Sequence, residues 1–207
     1  MKIGGLLKFT LIDFPGRPAA VVFTQGCNFR CRYCHNPELV YPHMFAEPVA
    51  EEEIDAFLKR RQGTLEGIVV SGGEPTLHED LPQFLAKLKG MGYATKLDTN
   101  GTRPEVLKQL IQGKLLDFIA MDLKAPLEKY SLITGVDFNP AVLRESMKLI
   151  VESGLGYEFR TTYDKEVLTD TDIAVITQLT DGKHYRVQEC LPVAKEKAAL
   201  KVLHTEL

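Results

Sequence analysis

Cys27-Asn28-Phe29-Arg30-Cys31-Arg32-Tyr33-Cys34 follows the apolar run Ala20-Val21-Val22-Phe23-Thr24, with only Gln25 and Gly26 between them. A short β-branched strand thus delivers three of the chain's four cysteines into one loop. Thiolates at this C-x3-C-x2-C spacing can hold three corners of a metal centre and leave a fourth coordination position for a small-molecule ligand. Zinc is an alternative, because structural zinc takes four protein ligands and His35 or His43 could supply the last. A disulfide or redox pair is a third reading, although closely spaced cysteines in a cytosol-type chain are more often metal-binding or catalytic. Spacing alone leaves the three open and places the iron–sulfur cluster first.

Outward from this loop, short apolar runs alternate with segments of helical period, a pattern that predicts a parallel sheet with crossover helices. Six strands are expected, at Ala20–Thr24, Gly67–Ser71, Ala94–Asp98, Phe118–Asp122, Gly156–Thr161 and Tyr185–Glu189. Between them, Glu51–Gln62 opens with acids and closes on bases, as the helix dipole favours. Thr102 is a candidate cap for a helix with Pro104 in its first turn and Gly113 at its end. Asn139 and Pro140 open a helix carrying Val142, Leu143, Met147, Ile150 and Val151, with Gly154 as its stop. Another runs from about Thr169 to Thr180. The expectation is one domain over 1–207, with a core at about 18–190. An N-terminal strand or hairpin would occupy 1–17 and a C-terminal helix or tail 191–207.

Each expected strand ends in polar residues, and functional groups of α/β folds gather at the carboxyl ends of strands. In chain order these ends are Gln25-Gly26-Cys27, Ser71-Gly72-Gly73-Glu74-Pro75, Asp98-Thr99-Asn100-Gly101, Asp122-Leu123-Lys124, Arg160-Thr161-Thr162 and Gln188-Glu189. Together they describe a metal loop ringed by acids, amides and two cations.

Composition sets the outer bounds. The chain has 207 residues, is 44% hydrophobic and carries a net charge of −3 with both signs mixed, so it has material for a real core. It lacks the footprint of a protein that binds nucleic acid or an anionic membrane. The opening Met1-Lys2-Ile3-Gly4-Gly5-Leu6-Leu7-Lys8 is too short an apolar stretch for a signal peptide, and no run reaches membrane-spanning length. A cytoplasmic location with reduced cysteines is expected.

The cysteine loop, the aromatic Tyr33 before its third cysteine and the Gly72-Gly73-Glu74 turn together resemble the radical S-adenosylmethionine enzymes. The resemblance covers about the first 190 residues and implies a partial (β/α)6 barrel, in agreement with the six strands. More closely, Thr10-Leu11-Ile12-Asp13-Phe14-Pro15-Gly16, Phe23 to Cys31 and Tyr33-Cys34-His35-Asn36-Pro37 resemble the activating proteins of anaerobic ribonucleoside-triphosphate reductases. Asp98-Thr99-Asn100-Gly101 and Met121-Asp122-Leu123-Lys124 are similar to the wider glycyl-radical activase group, which includes the pyruvate formate-lyase activating enzymes.

The resemblance implies a [4Fe–4S] cluster on Cys27, Cys31 and Cys34, with S-adenosylmethionine chelating the fourth iron. Reductive cleavage would release methionine and a 5′-deoxyadenosyl radical, which would abstract hydrogen from a glycine of an anaerobic ribonucleotide reductase. The alternatives are another glycyl-radical enzyme, such as pyruvate formate-lyase, or a small-molecule substrate. The implied cofactor contacts are Tyr33, Gly72, Gly73, Glu74, Asp98, Asn100, Asp122, Lys124 and Arg160, with Lys124 also counted in the catalytic set. Asp98 and Asp122, with Thr99, would contribute to a monovalent cation site. Four cysteines leave no thiols for a second cluster, so the electron would come from an external flavodoxin or ferredoxin. Cys190 reads as a small buried residue rather than a ligand. The five histidines share no ligand spacing.

Overall fold

The computed structural model describes residues 1–190. The expected tail at 191–207 lies outside the described residues. Seven strands form one sheet in sequential order: β1 (Ile3–Thr10), β2 (Ala19–Thr24), β3 (Gly67–Gly72), β4 (Ala94–Thr99), β5 (Phe118–Asp122), β6 (Gly156–Tyr163) and β7 (Tyr185–Glu189). The six expected strands are β2 to β7, paired in parallel throughout. β1 adds an antiparallel hairpin partner to β2, and no pairing joins β1 to β7. The result is an α/β fold with an unclosed sheet, a partial (β/α)6 barrel.

The helices are α1 (Glu51–Arg61), α2 (Leu81–Gly90), α3 (Pro104–Gln112), α4 (Tyr130–Thr134), α5 (Ala141–Glu152) and α6 (Asp170–Leu179). Helix α1 has three acids in its first turn and three bases in its last, as its sequence required. Helix α6 starts with a capping box between Thr169 and Asp172. The start of α5 is held by Asn139, whose Oδ1 accepts from Ala141 N at 3.0 Å. Thr102 does not cap α3; Arg103 occupies that position, and the Thr102 hydroxyl and amide turn back to Asn100 Oδ1. Helix α2 was not expected. Its Pro82 lies in the first turn, where a missing N–H costs nothing, and Leu81, Leu85 and Leu88 bury one stripe.

Strand alternation sorts the core into two faces. Ala20, Val22, Ile68, Val70, Leu97 and Ile119 join one large cluster with helix residues such as Ile54, Leu58, Leu85, Leu107, Leu143 and Ile150. Ala19, Val21 and Val69 form a second, smaller cluster with Phe14, from the loop that follows β1. Phe14 packs so closely on Gly67 that a Cβ there would lie 2.6 Å from the ring. Its ring also meets Phe118 at 6.2 Å. This apolar plug fills the amino-terminal part of the inner face. Farther along, the same face carries the charged residues of β4, β5 and β6.

Candidate active site

Strand β2 runs into Gln25, whose burial is supported by its N–H on Lys2 O and its Nε2 on Ala46 O. Gly26 then turns with φ +96°, a conformation suited to glycine, and releases the cysteine loop. Cys27, Cys31 and Cys34 are half-buried, outside any disulfide, and line a cavity of about 360 Å³ at the carboxyl ends of the strands. Among the described residues, no three His, Cys, Asp or Glu side chains gather closely enough to hold a single metal ion. Burial pushes the Cys27 thiol up to about 11 and raises Cys31 and Cys34 as well. Three thiols lining one cavity are a soft donor set, and it fits a thiolate-bound cluster whose metal would displace their protons.

The segment after β5 buttresses the loop. Arg30 N donates to Thr134 O, and Gly135, at φ +68°, lies so close that a Cβ would meet Arg30 O at 2.7 Å. Phe29, Tyr130 and Phe138 pack as an aromatic triad. Tyr33 is buried, and its hydroxyl donates to Lys124 O at 3.1 Å. Tyr130 OH accepts from Lys124 N at 3.0 Å. Two tyrosines thus pin the backbone at Lys124 beside the cysteines.

Gly72 and Gly73 permit a close approach of backbones. A Cβ on Gly72 would meet Thr24 N at 2.3 Å, and one on Gly73 would meet Gly26 O at 2.0 Å. The turn therefore brings the end of β3 against the root of the cysteine loop. Glu74 is fully buried and accepts from Thr76 N, Thr76 Oγ1, Thr99 Oγ1 and Asn100 N. Burial raises its pKa, opposed by these hydrogen bonds. Asn100 is equally committed: its Nδ2 donates to Asn28 Oδ1, and its Oδ1 accepts from Thr102. Asn28 belongs to the cysteine loop, so Glu74 and Asn100 clamp β3, β4 and that loop together.

The inner face carries a ladder of charge. Lys96 Nζ donates to Asp98 Oδ1 at 2.6 Å. Asp98 Oδ2 accepts from Ser71 Oγ at 3.2 Å and Arg160 Nη1 at 3.4 Å. Arg160 Nε donates to Asp122 Oδ1 at 2.9 Å, and Lys124 Nζ to Asp122 Oδ2 at 2.8 Å. Glu158 approaches Arg160 at 3.8 Å and Arg186 at 3.5 Å. Burial opposes the Asp122 charge, but Arg160 and Lys124 outweigh it and hold the carboxyl well below its usual range. Lys124 is correspondingly held above its own, against burial, chiefly by Asp122.

Every site residue expected from the sequence lines this one cavity. Lys96 was not anticipated, although the K-x-D alternation of β4 places it on the same face as Asp98. Tyr130 and Glu158 were also missed, as were Asn28 and Arg186, whose partners come from distant elements. Cys190 sits half-buried at the end of β7, its Sγ 3.4 Å from His35 Nε2.

The model of the radical SAM superfamily matches residues 21–167. A Methanocaldococcus jannaschii protein, provisionally named a glycyl-radical enzyme activating enzyme, is 34% identical over 92% of this chain and 80% of its own length. The pyruvate formate-lyase-activating enzyme of Listeria monocytogenes is 35% identical over 55% of this chain and 49% of its own. The chain thus spans about half the length of that second relative. SuiB of Streptococcus suis, solved with S-adenosylmethionine, superposes with a TM-score of 0.67 at 17% identity, covering 89% of this chain and 45% of SuiB. The chain belongs to the radical S-adenosylmethionine superfamily. A [4Fe–4S] cluster and S-adenosylmethionine are the cofactors of that class, and the three thiols at the cavity mouth are the donor set it needs.

Proposed function

We propose that this chain activates a glycyl-radical enzyme by removing a hydrogen atom from the α-carbon of one glycine, and that the partner is an anaerobic ribonucleotide reductase. The observation that carries the activase reading is the match across most of both chains to the Methanocaldococcus protein. The reductase as partner rests on the Thr10–Gly16 and Phe23–Pro37 strings. An unclosed sheet is consistent with it, because a glycine must come into near contact with the reacting group and a peptide loop can enter from the open side.

In this reading, Cys27, Cys31 and Cys34 hold the cluster. When bound, the cluster and S-adenosylmethionine supply reductive cleavage of a carbon–sulfur bond and the species that takes the hydrogen. The protein supplies position and electrostatics. Lys124, Asp122, Asp98 and Arg160 present a fixed array of charge to the amino-acid end of the cofactor. That array sets three cations, Lys96, Lys124 and Arg160, against three carboxylates, Asp98, Asp122 and Glu158, and so offers both signs of charge to an amino-acid ligand. Tyr33 closes the wall behind Lys124. Gly72, Gly73, Glu74 and Asn100 shape the turn against which the cofactor lies. An external flavodoxin or ferredoxin supplies the electron.

A second partner class, pyruvate formate-lyase, is favoured by the Listeria relative. The test is anaerobic: load the cluster, reduce it, add S-adenosylmethionine, and measure 5′-deoxyadenosine and protein-centred radical with each candidate partner. A glycyl signal on the reductase alone supports the proposal, and one on the lyase alone transfers it to the second class. Cofactor cleavage that leaves both proteins without a radical overturns both.

A further inference from the structure

The cation site implied by the family resemblance does not fit this chain. Its donors would be Asp98, Asp122 and Thr99, and each is already committed. Asp98 gives Oδ1 to Lys96 and Oδ2 to Ser71 and Arg160. Asp122 gives Oδ1 to Arg160 and Oδ2 to Lys124. Thr99 Oγ1 donates to Glu74 at 2.8 Å and accepts from Gly101 N at 3.1 Å. A metal ion would have to share these carboxylates with an ammonium or guanidinium already on them, packing like charges side by side.

Lys96 is the residue that makes the difference. Its side chain is 1% exposed, and it rises from a position paired with Phe118, with Nζ 5.8 Å from the centre of that ring. Fully buried lysines are rare unless paired. This one has the carboxylate of Asp98 within 2.6 Å and the apolar plug below it. An ammonium has the charge of K⁺ and nearly its size, and here it is tethered to the strand that carries Asp98. We infer that Lys96 is a built-in monovalent cation: its ammonium takes the place of a bound alkali ion beneath Asp98, and cofactor binding does not depend on K⁺ or Na⁺. Lys96 is a positioning residue, acting on the cofactor through Asp98 and Arg160. The inference rests on the superfamily assignment and is indifferent to the identity of the partner protein.

The experiment uses cluster-loaded protein and two readouts independent of turnover. S-adenosylmethionine affinity is measured by calorimetry in KCl, NaCl and N-methyl-D-glucamine chloride at equal ionic strength. Binding of Tl⁺, a K⁺ probe, is followed by ²⁰⁵Tl line width. For the native chain, the three affinities agree within about twofold and the Tl⁺ line is unbroadened. In Lys96→Met the vacancy is opened, so affinity in K⁺ or Na⁺ exceeds that in the bulky cation by roughly tenfold, an ordinary coupling between two ligands, and Tl⁺ broadens. Lys96→Arg keeps the charge and stays indifferent to salt. A tenfold alkali preference or Tl⁺ binding in the native chain overturns the inference, as does a folded Lys96→Met that remains indifferent. Should Lys96→Met fail to fold, the native chain and Lys96→Arg still decide, by the same two readouts.

Discussion

Replacing Cys27, Cys31 or Cys34 with alanine removes one thiolate from a three-thiol set for which the described residues offer no substitute cluster. Each variant is expected to lose its brown absorption and its ability to cleave S-adenosylmethionine. Cys190→Ala is expected to keep both, and an iron-free Cys190 variant would contradict the ligand assignment. Lys124 differs in kind, because its contact is to Asp122 rather than to the cysteines. Lys124→Ala should load iron normally and bind S-adenosylmethionine about tenfold more weakly, the usual scale for losing one charge-assisted contact. Calorimetry on loaded protein checks it, and unchanged affinity would return Lys124 to a purely structural part.

The β2–β3 pair and the β4–β5–β6 ladder are the elements on which the cavity depends. Gly73→Ala puts a Cβ 2.0 Å from Gly26 O, a backbone atom that cannot swing aside. The strand ends must part, at an expected loss of about 2–4 kcal/mol in chemical denaturation, together with poorer cluster loading. The ladder makes a pH-dependent contribution. The folded-state pKa of Asp122 lies below its unfolded value, so its stabilisation is full above the unfolded value and disappears as pH falls through the folded one. Asp122→Asn should therefore be less stable than the parent by about 1–3 kcal/mol at pH 7, with the gap narrowing below roughly pH 4. Urea titrations at the two pH values measure it, and a gap that widens in acid would reverse the assigned sign.

The apolar core of the whole molecule extends far beyond its metal loop. The large cluster runs through the sheet and helices α1 to α6; it takes in Phe29 and Tyr33 of the cysteine loop, with Cys27 and Cys31 packed at its margin. Iron removal by chelator is accordingly expected to leave far-ultraviolet circular dichroism nearly unchanged and to lower Tm by several degrees, unlike a zinc finger that unfolds without metal. Collapse of the dichroism would show that the cluster supports the fold. No helix among the described residues is long and apolar enough to cross a membrane. The strand count, parallel order and cysteine loop were legible because they rest on local periodicity and spacing. Helix α2 escaped because a proline at its start resembles a breaker unless its place in the first turn is known.

Residue order alone determined that β-branched runs would alternate with helices, that three thiols would share one loop, and that polar residues would end successive strands. These are properties of neighbours along the chain. Tertiary structure decided what those residues touch. Glu74, which looks like a ligand in the Gly72-Gly73-Glu74 turn, gives its oxygens to donors on Thr76, Thr99 and Asn100. Lys96, which looks like an intrusion into an apolar strand, holds Asp98 at the floor of the cavity. The Lys96 contact stays within β4, but the Glu74 contacts to Thr99 and Asn100 depend on strands separated by 20 or more residues coming together, as does the meeting of Asp122 with Arg160. Arg160 finds Asp122 and Asp98 only across the sheet, and the order of residues along the chain does not show which partner the register will bring.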